Sequence, residues 1–187
     1  MKKLIFIFLI LVFTAGASSQ EQTLVGDKIE SGGFGGMVFK ATNINGQSAM
    51  FVGGRGGWII NHSFAFGGGG YGLVTNVNIN SHDASQGTTN LEMSYGGMDF
   101  EYILSSNDLI HFSAGLLLGS GNISDKYEHD PFFVLEPSMQ GNLNVTHFFR
   151  IAAGASYRYV SSVKSVIVTN ADLSGLSAIF ELEFGTF

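Results

Sequence analysis

Apolar and polar residues alternate with a period of two along most of this chain, and no other feature constrains the fold as strongly. The run from Ile110 to Leu116 is an example, because its apolar residues stand at even positions with His, Ser and Gly between them. Successive side chains of a strand point to opposite faces of a sheet. Only 2 prolines occur in 187 residues, which is typical of a backbone whose N–H groups must pair. The pattern therefore predicts an all-β protein.

Turn residues divide this pattern into eight predicted strands. Asn45-Gly46 is a strong signal for a two-residue hairpin. After that hairpin the connections alternate between short and long, and the long ones lie at about 78–87, 122–131 and 161–174. The alternation predicts an eight-stranded antiparallel up-and-down transmembrane β-barrel with its short turns and both termini at one end. The predicted strands are 32–44, 48–60, 64–77, 88–104, 109–121, 132–143, 148–160 and 175–187.

Glycine is concentrated in residues 53–72. Gly67, Gly69 and Gly72 match the dinucleotide fingerprint G-x-G-x-x-G, but that fingerprint opens a helix, and residues 73–77 have the pattern of a strand. Glycine is tolerated in strands that bend sharply or that another group approaches closely. We therefore interpret this stretch as a bent barrel hairpin whose glycines leave room in the lumen for the side chain of Arg55.

Alternation alone does not decide which face points into the barrel. The polar faces combine charges with Gly, Ser and Ala, which suits a crowded interior, and the apolar faces carry aromatic residues near strand ends, as at a membrane interface. We therefore predict an inward polar face that plugs the lumen. Its predicted charge network has four basic and five acidic members: Lys40, Arg55, Asp99, Glu101, Glu136, Arg150, Arg158, Glu181 and Glu183.

The N-terminus has the pattern of a secretory signal peptide. Lys2 and Lys3 precede an apolar run, Leu4 to Phe13, and Ala15-Gly16-Ala17 offers a cleavage site of small residues. That run is too short to span a bilayer as a helix. We expect residues 1–17 to be the signal peptide, 18–31 a short periplasmic segment and 32–187 the barrel.

These features together resemble the small eight-stranded outer-membrane barrels of Gram-negative bacteria, and the glycine-rich run is similar to uncharacterised barrel proteins of such bacteria. The resemblance implies an outer-membrane location, contact with outer-membrane lipids and lipopolysaccharide, and a terminal Phe187 that the outer-membrane assembly machinery reads. In that family, apolar residues continue at every second position before the terminal Phe, whereas here Gly185, Glu183 and Glu181 occupy those positions. We expect a bulge near Gly185 to restore the phase.

Several kinds of chemistry are disfavoured by composition. The formal net charge of −6 repels nucleic-acid phosphates, and the absence of Cys excludes disulfides and thiol chemistry. Ser81-His82-Asp83 are consecutive, and adjacent residues rarely converge on one reacting atom. We expect no catalytic residue, cofactor or metal.

The remaining histidines and acidic residues have ordinary interpretations. His62, His111 and His147 stand at predicted short turns, where we expect them to form turn or interface hydrogen bonds. Residues 125–130 form an acidic stretch without EF-hand spacing, so a solvated loop is favoured over a divalent-cation site.

Four functions stay open at this stage. An outer-membrane barrel with a structural, surface-interaction or envelope-integrity role is favoured. A narrow pore for small solutes, a lipid-modifying enzyme and a soluble secreted barrel that binds an apolar ligand are the alternatives.

Overall fold

The structure is a computed structural model, and it describes residues 31–80, 88–124, 129–165 and 168–187. The predicted signal peptide and nearly all of the 18–31 segment lie outside the described residues, as do Ser81-His82-Asp83 and residues 125–128. Within the described ranges, no helix has the length and apolar character needed to cross a membrane.

Eight antiparallel strands form a closed barrel. They are β1 (Ser31–Ile44), β2 (Gln47–Ile60), β3 (Phe64–Leu73), β6 (Glu92–Leu104), β7 (Ile110–Ser124), β8 (His129–Thr146), β9 (Phe149–Ser161) and β10 (Gly175–Gly185). Each pairs with the barrel strands before and after it in the chain, and β1 also pairs with β10, so the ring has no edge. The predicted fold class is confirmed.

Three smaller elements lie in the connections at one end of the barrel. Strands β4 (Asn78–Asn80) and β5 (Thr88–Asn90) pair in a separate two-stranded sheet between β3 and β6. The one-turn helix α1 (Asn170–Leu173) lies between β9 and β10. Its N-cap is Thr169, which forms a reciprocal capping box with Asp172.

The short and long connections separate as predicted. The three-residue turn after β2, the turn after β6 and the turn after β8 lie at the end where β1 begins and β10 finishes. The Asn45-Gly46 hairpin lies at the opposite end, with the longer connections. Asn45 and Gly46 both have positive φ, at 49° and 73°, as a type I′ turn requires.

Strand bounds differ from prediction where a loop folds back onto the barrel. The third strand ends at Leu73 rather than at 77, because the N–H of Met50, which would continue the ladder, donates to the side-chain hydroxyl of Thr75 at 3.0 Å. The predicted strand 88–104 is interrupted at Leu91, which donates its N–H to the Val77 carbonyl at 2.9 Å. These bonds join residues that the local sequence pattern cannot bring together.

The polar face points inward and the apolar face outward, as predicted. Phe112 is 64% exposed and Phe180 is 44% exposed, whereas Arg55 is 9% and Glu136 is 2% exposed. A barrel that is soluble in water would reverse this arrangement. The observed orientation therefore disfavours the soluble ligand-binding barrel.

Several inward glycines are required by the close approach of neighbouring strands. A Cβ atom added to Gly119 would lie 2.0 Å from the carbonyl oxygen of Gly96, and one added to Gly154 would lie 2.0 Å from that of Met139. Real Cβ atoms do not approach backbone this closely, so strands would have to separate. The outward Gly70 differs, because an added Cβ there meets nothing within 4 Å.

We predict that Gly119→Ala destabilises the folded barrel and that Gly70→Ala, the matched control, does not. Over-packing against rigid backbone costs about 1–3 kcal/mol. Urea unfolding of both variants in detergent, followed by the gel mobility of unheated samples, measures the difference. Equal unfolding midpoints for the two variants would contradict the steric role assigned to Gly119.

Candidate functional site

The candidate site is the barrel lumen, and the structure buries all nine residues of the predicted charge network. They do not form one continuous network. The ion pairs among the described residues fall into two groups, one around Arg55 and one between Lys40 and Glu136. Arg150 and Arg158 make other contacts.

Arg55 of β2 binds four carboxylates, a set that we call the Arg55 cluster. Its Nε donates to Glu181 Oε1 at 2.6 Å, and Nη1 donates to Asp99 Oδ2 at 2.8 Å. Nη2 donates to Glu183 Oε1 at 2.8 Å and also to Glu101 Oε2. The planar guanidinium offers five donors in fixed directions, which lets one side chain serve carboxylates from β6 and β10 together.

Glycines on both neighbouring strands make room for this cluster. Arg55 is paired with Gly36 of β1 and with Gly69 of β3. A Cβ atom on Gly69 would lie 3.2 Å from the Cβ of Arg55, and one on Gly36 would lie 3.1 Å from Glu181 Oε1. The large side chain therefore stands between two positions that have none.

Lys40 of β1 forms the second ion pair one layer further toward the loop end. Its Nζ lies 2.9 Å from Glu136 Oε2 and 3.5 Å from the ring centroid of Tyr71. Ser156 donates to the other oxygen of Glu136 at 2.5 Å, and Lys40 also donates to the Tyr95 hydroxyl at 3.3 Å. Each charge of this pair is thus hydrogen-bonded as well as paired, which a buried ion pair needs.

Arg150 and Arg158 contact aromatic rings instead of carboxylates. Arg150 donates from Nε to Asn144 Oδ1 at 2.6 Å, and its guanidinium lies 3.8 Å from the ring centroid of Phe187. Arg158 donates from Nε to the Leu173 carbonyl at 2.8 Å and stacks 4.7 Å from the Phe51 ring. Its two Nη atoms are buried without a hydrogen-bond partner among the described residues.

The loop half of the lumen is apolar, which the sequence-based prediction of a polar plug missed. Buried side chains from all eight barrel strands and from the long connections form this layer, among them Phe51, Val134, Val160, Leu173 and Val168. The sequence already indicated this apolar layer, because Phe51 lies an even number of positions from Arg55 in β2 and therefore points to the same inward face. The plug therefore has a charged layer and an apolar layer, which we call the apolar cap.

A small apolar cluster closes the other end of the lumen. Phe34 and Phe187 pack against the buried side chains of Ile59, Ala65 and Ile103. Phe187 therefore covers the lumen at the end with the short turns, and its ring contacts the guanidinium of Arg150.

The expected bulge near Gly185 is absent. The pairing of β1 with β10 runs without a shift from Thr42–Ser177 to Phe34–Gly185, and Thr186 then donates its N–H to the Gly33 carbonyl at 2.9 Å. The register shift in the barrel lies instead between Asn144 and Thr146 of β8. Because the ladder contains no extra residue, Phe187 lies on the same face as Glu183, which is the inside of the barrel.

His62, His111 and His147 lie near the short turns, as predicted. His62 is in the turn after β2. His111 is buried at the start of β7, with Nδ1 3.2 Å from the Asp108 carbonyl oxygen, and the His147 ring packs edge-on against Phe148 at 5.1 Å. No group of three or more His, Asp or Glu residues within the described ranges could hold a metal ion.

Asp130 of the acidic stretch has a structural contact. Its Oδ2 accepts the backbone N–H groups of Lys164 and Ser165 at 2.5 and 2.6 Å. This carboxylate therefore ties the start of β8 to the connection between β9 and β10. Asp125 and Glu128 lie outside the described residues.

The inner wall encloses a central cavity of about 20 Å³ between the Arg55 cluster and the Lys40–Glu136 pair. Its lining includes Glu181, Gln140, Ser138 and Ser156. Such a volume is sufficient for one water molecule and for nothing larger.

The fold is shared with known bacterial barrels. Neisserial surface protein A (NspA) matches with 15% identity over 86% of this chain and 100% of its own, with a TM-score of 0.52. Ail, the attachment invasion locus protein of Yersinia pestis, matches with 11% identity over 83% of this chain and 97% of its own, at a TM-score of 0.46. The outer-membrane protease OmpT of Escherichia coli has 10% identity, 84% and 93% coverage, and a TM-score of 0.26.

No protein-family model matches the chain, and no curated protein matches it. At 15% identity, the similarity to NspA is one of fold. The chain therefore has the fold of the small eight-stranded bacterial outer-membrane barrels, as its sequence predicts.

We predict that Arg55→Met destabilises the barrel more than Arg150→Met does. Removing Arg55 leaves four buried carboxylates without their shared cation, and breaking a buried ion pair in this way costs about 3–5 kcal/mol. Arg150 contacts a neutral amide and a ring, so its loss should cost less. Urea unfolding in detergent gives both values, and a larger loss for Arg150→Met would contradict the central role of the Arg55 cluster.

Proposed function

We propose that the chain is an integral outer-membrane protein whose barrel is a sealed anchor for a loop-built outer surface, with a structural, surface-interaction or envelope-integrity role. The observation that carries this proposal is the double closure of the lumen. The Arg55 cluster fills one layer, and the apolar cap fills the layer next to the long connections. A narrow pore, the second candidate, needs a continuous polar path, and the apolar cap interrupts one.

The outward surface supports placement in a membrane. On β9 the outward residues from Phe149 to Tyr159 are aromatic, aliphatic or alanine. Those ~10 residue steps, at ~3.4 Å each and tilted by ~40°, span roughly 25 Å, which is the height of the apolar band of membrane barrels. Trp58 and Phe184 lie near one end of this surface, and Tyr157 and Tyr159 near the other, as in aromatic girdles.

The end of the barrel with the long connections is closed by contacts between those connections and the barrel. Leu173 and Val168 insert into the apolar cap, and Asn45 donates its N–H to the Asp172 carbonyl at 3.0 Å. In the same hairpin, Gln47 exchanges two hydrogen bonds with the backbone of Asn78. Loops held by a rigid scaffold are where recognition usually lies, so we assign any extracellular partner to this surface.

The same proposal assigns no catalytic step and no cofactor to the chain, and it expects lipids and lipopolysaccharide around the barrel. Mass spectrometry of lipid A from cells with and without the protein tests the catalytic alternative. Identical lipid A in the two strains is the expected result. A protein-dependent change in acyl chains or phosphates would favour a lipid-modifying enzyme.

We predict that the purified protein gives no stable open-channel current in planar bilayers. The double variant Phe51→Ala with Arg158→Ser is the matched control, because it removes two large side chains from the apolar cap while the Arg55 cluster remains. We expect the control to conduct more than the wild type. Reproducible conductance by the wild type itself would favour the pore.

We predict that Trp58 reports insertion into the bilayer. It is the only Trp in the chain, points outward and is 68% exposed, close to the turn after β2. In vesicles its fluorescence should shift to the blue, and lipids brominated near the headgroup should quench it more than lipids brominated near the chain ends. Quenching by iodide in water, with no effect of brominated lipids, would contradict membrane placement.

A further inference from the structure

The Arg55 cluster contains more negative charge than its single guanidinium compensates. Four carboxylates contact Arg55, whereas the Lys40–Glu136 pair beside it is balanced. Arg150, the next cation, stands opposite Glu183 in the register of β9 and β10, although it forms its hydrogen bond with Asn144. Over the nine-member charge network the count is four cations against five carboxylates. Ionised groups that are buried without compensation are strongly unfavourable, and carboxyl groups that crowd together cannot all ionise. The network therefore carries one negative charge in excess, which one bound proton would neutralise.

Two acceptors at the central cavity indicate where that proton can bind. Glu181 and Gln140 both line this cavity, and both side chains are more than nine-tenths buried. Glu181 Oε2 and Gln140 Oε1 have no hydrogen-bond partner among the described residues. An ionised carboxylate and an amide oxygen are both acceptors, so neither can satisfy the other. One water molecule could donate to both oxygens, but it would leave the excess negative charge in place. A proton on Glu181 Oε2 removes that charge and also supplies a donor.

We propose that the central cavity is a proton-binding site, in which Glu181 is protonated on Oε2 and donates toward Gln140 Oε1 through one water molecule. The cavity volume of about 20 Å³ suits a single water. Glu181 Oε1 continues to accept from Arg55 Nε at 2.6 Å, so protonation of the other oxygen leaves the Arg55 cluster intact. Folding then takes up a proton that the unfolded chain does not bind at neutral pH.

The ionisable groups around Glu181 come from every neighbouring part of the wall. Lys40, Arg55, Tyr71, Asp99 and Glu136 line the cavity together with Glu181, and the other groups lie above and below it along the lumen wall. The full set is Lys40 of β1, Arg55 of β2, Tyr71 of β3, Asp99 and Glu101 of β6, His111 of β7, Glu136 of β8, Arg150 of β9 and Glu183 of β10. Because these groups also titrate, the contribution of Glu181 must be measured as a difference between the wild type and a variant.

Urea unfolding of the full chain in detergent supplies that difference. Glutamine is isosteric with a protonated glutamate and keeps both a donor and an acceptor, so Glu181→Gln should leave the unfolding midpoint near the wild-type value at about pH 5. A native state that holds an extra proton loses stability as the pH rises, so the unfolding midpoint of the variant should exceed that of the wild type at about pH 9.

Glu101→Gln and Glu183→Gln are the matched controls, and both should lower the midpoint. A loss in Glu181→Gln equal to that in the controls at both pH values would overturn the proposal.

Infrared spectroscopy tests the same site without a stability measurement. The folded wild type in neutral buffer should show the C=O stretching band of a protonated carboxyl group, shifted in D₂O. This band should disappear in Glu181→Gln and persist in Glu183→Gln. A wild-type spectrum without the band, or a band that survives in Glu181→Gln, would place no proton on Glu181.

Discussion

Closure of the hydrogen-bonded ring between β1 and β10 is the constraint on which the rest of this structure depends. A ring of eight strands has a lumen just wide enough for its own side chains. At each level of the lumen a large inward residue therefore needs small neighbours, as Arg55 has Gly36 and Gly69 on the strands beside it. Where strands approach most closely, as at Gly119, even a methyl group would meet backbone.

This narrow interior forces charges into contact and then depends on their pairing. Arg55 binds four carboxylates because the inward phases of β6 and β10 deliver them to the same level of the lumen. Buried ion pairs of this kind add little net stability, but losing one partner is costly. The cluster thus makes the charged layer intolerant of substitution, and the surplus of carboxylates gives the physical reason for a bound proton at Glu181.

The apolar cap makes one layer of the lumen hydrophobic, and this layer bears most directly on function. Arg158 is a charged residue within this apolar layer: its Nε donates to the Leu173 carbonyl, and its guanidinium stacks on the Phe51 ring. The connection that contains α1 is in this way joined to the barrel interior. A sealed barrel with an ordered outer end fits an anchor and a presenting surface better than a conduit.

The sequence by itself determined the eight strands, the face that each turns inward and the end at which the short turns lie. These follow from local chemistry. A period of two divides each strand into two faces, the composition of those faces indicates which one points inward, and residues such as Asn45-Gly46 specify a hairpin wherever they occur. Tertiary structure alone decided which charges meet: Arg55 finds Asp99 at a separation of 44 residues and Glu183 at 128. It also decided that Arg158 faces rings, that Phe187 turns inward and that residues 74–77 leave the barrel. Such outcomes depend on strand register and loop closure, which bring distant residues to one level of the lumen and which no local pattern encodes.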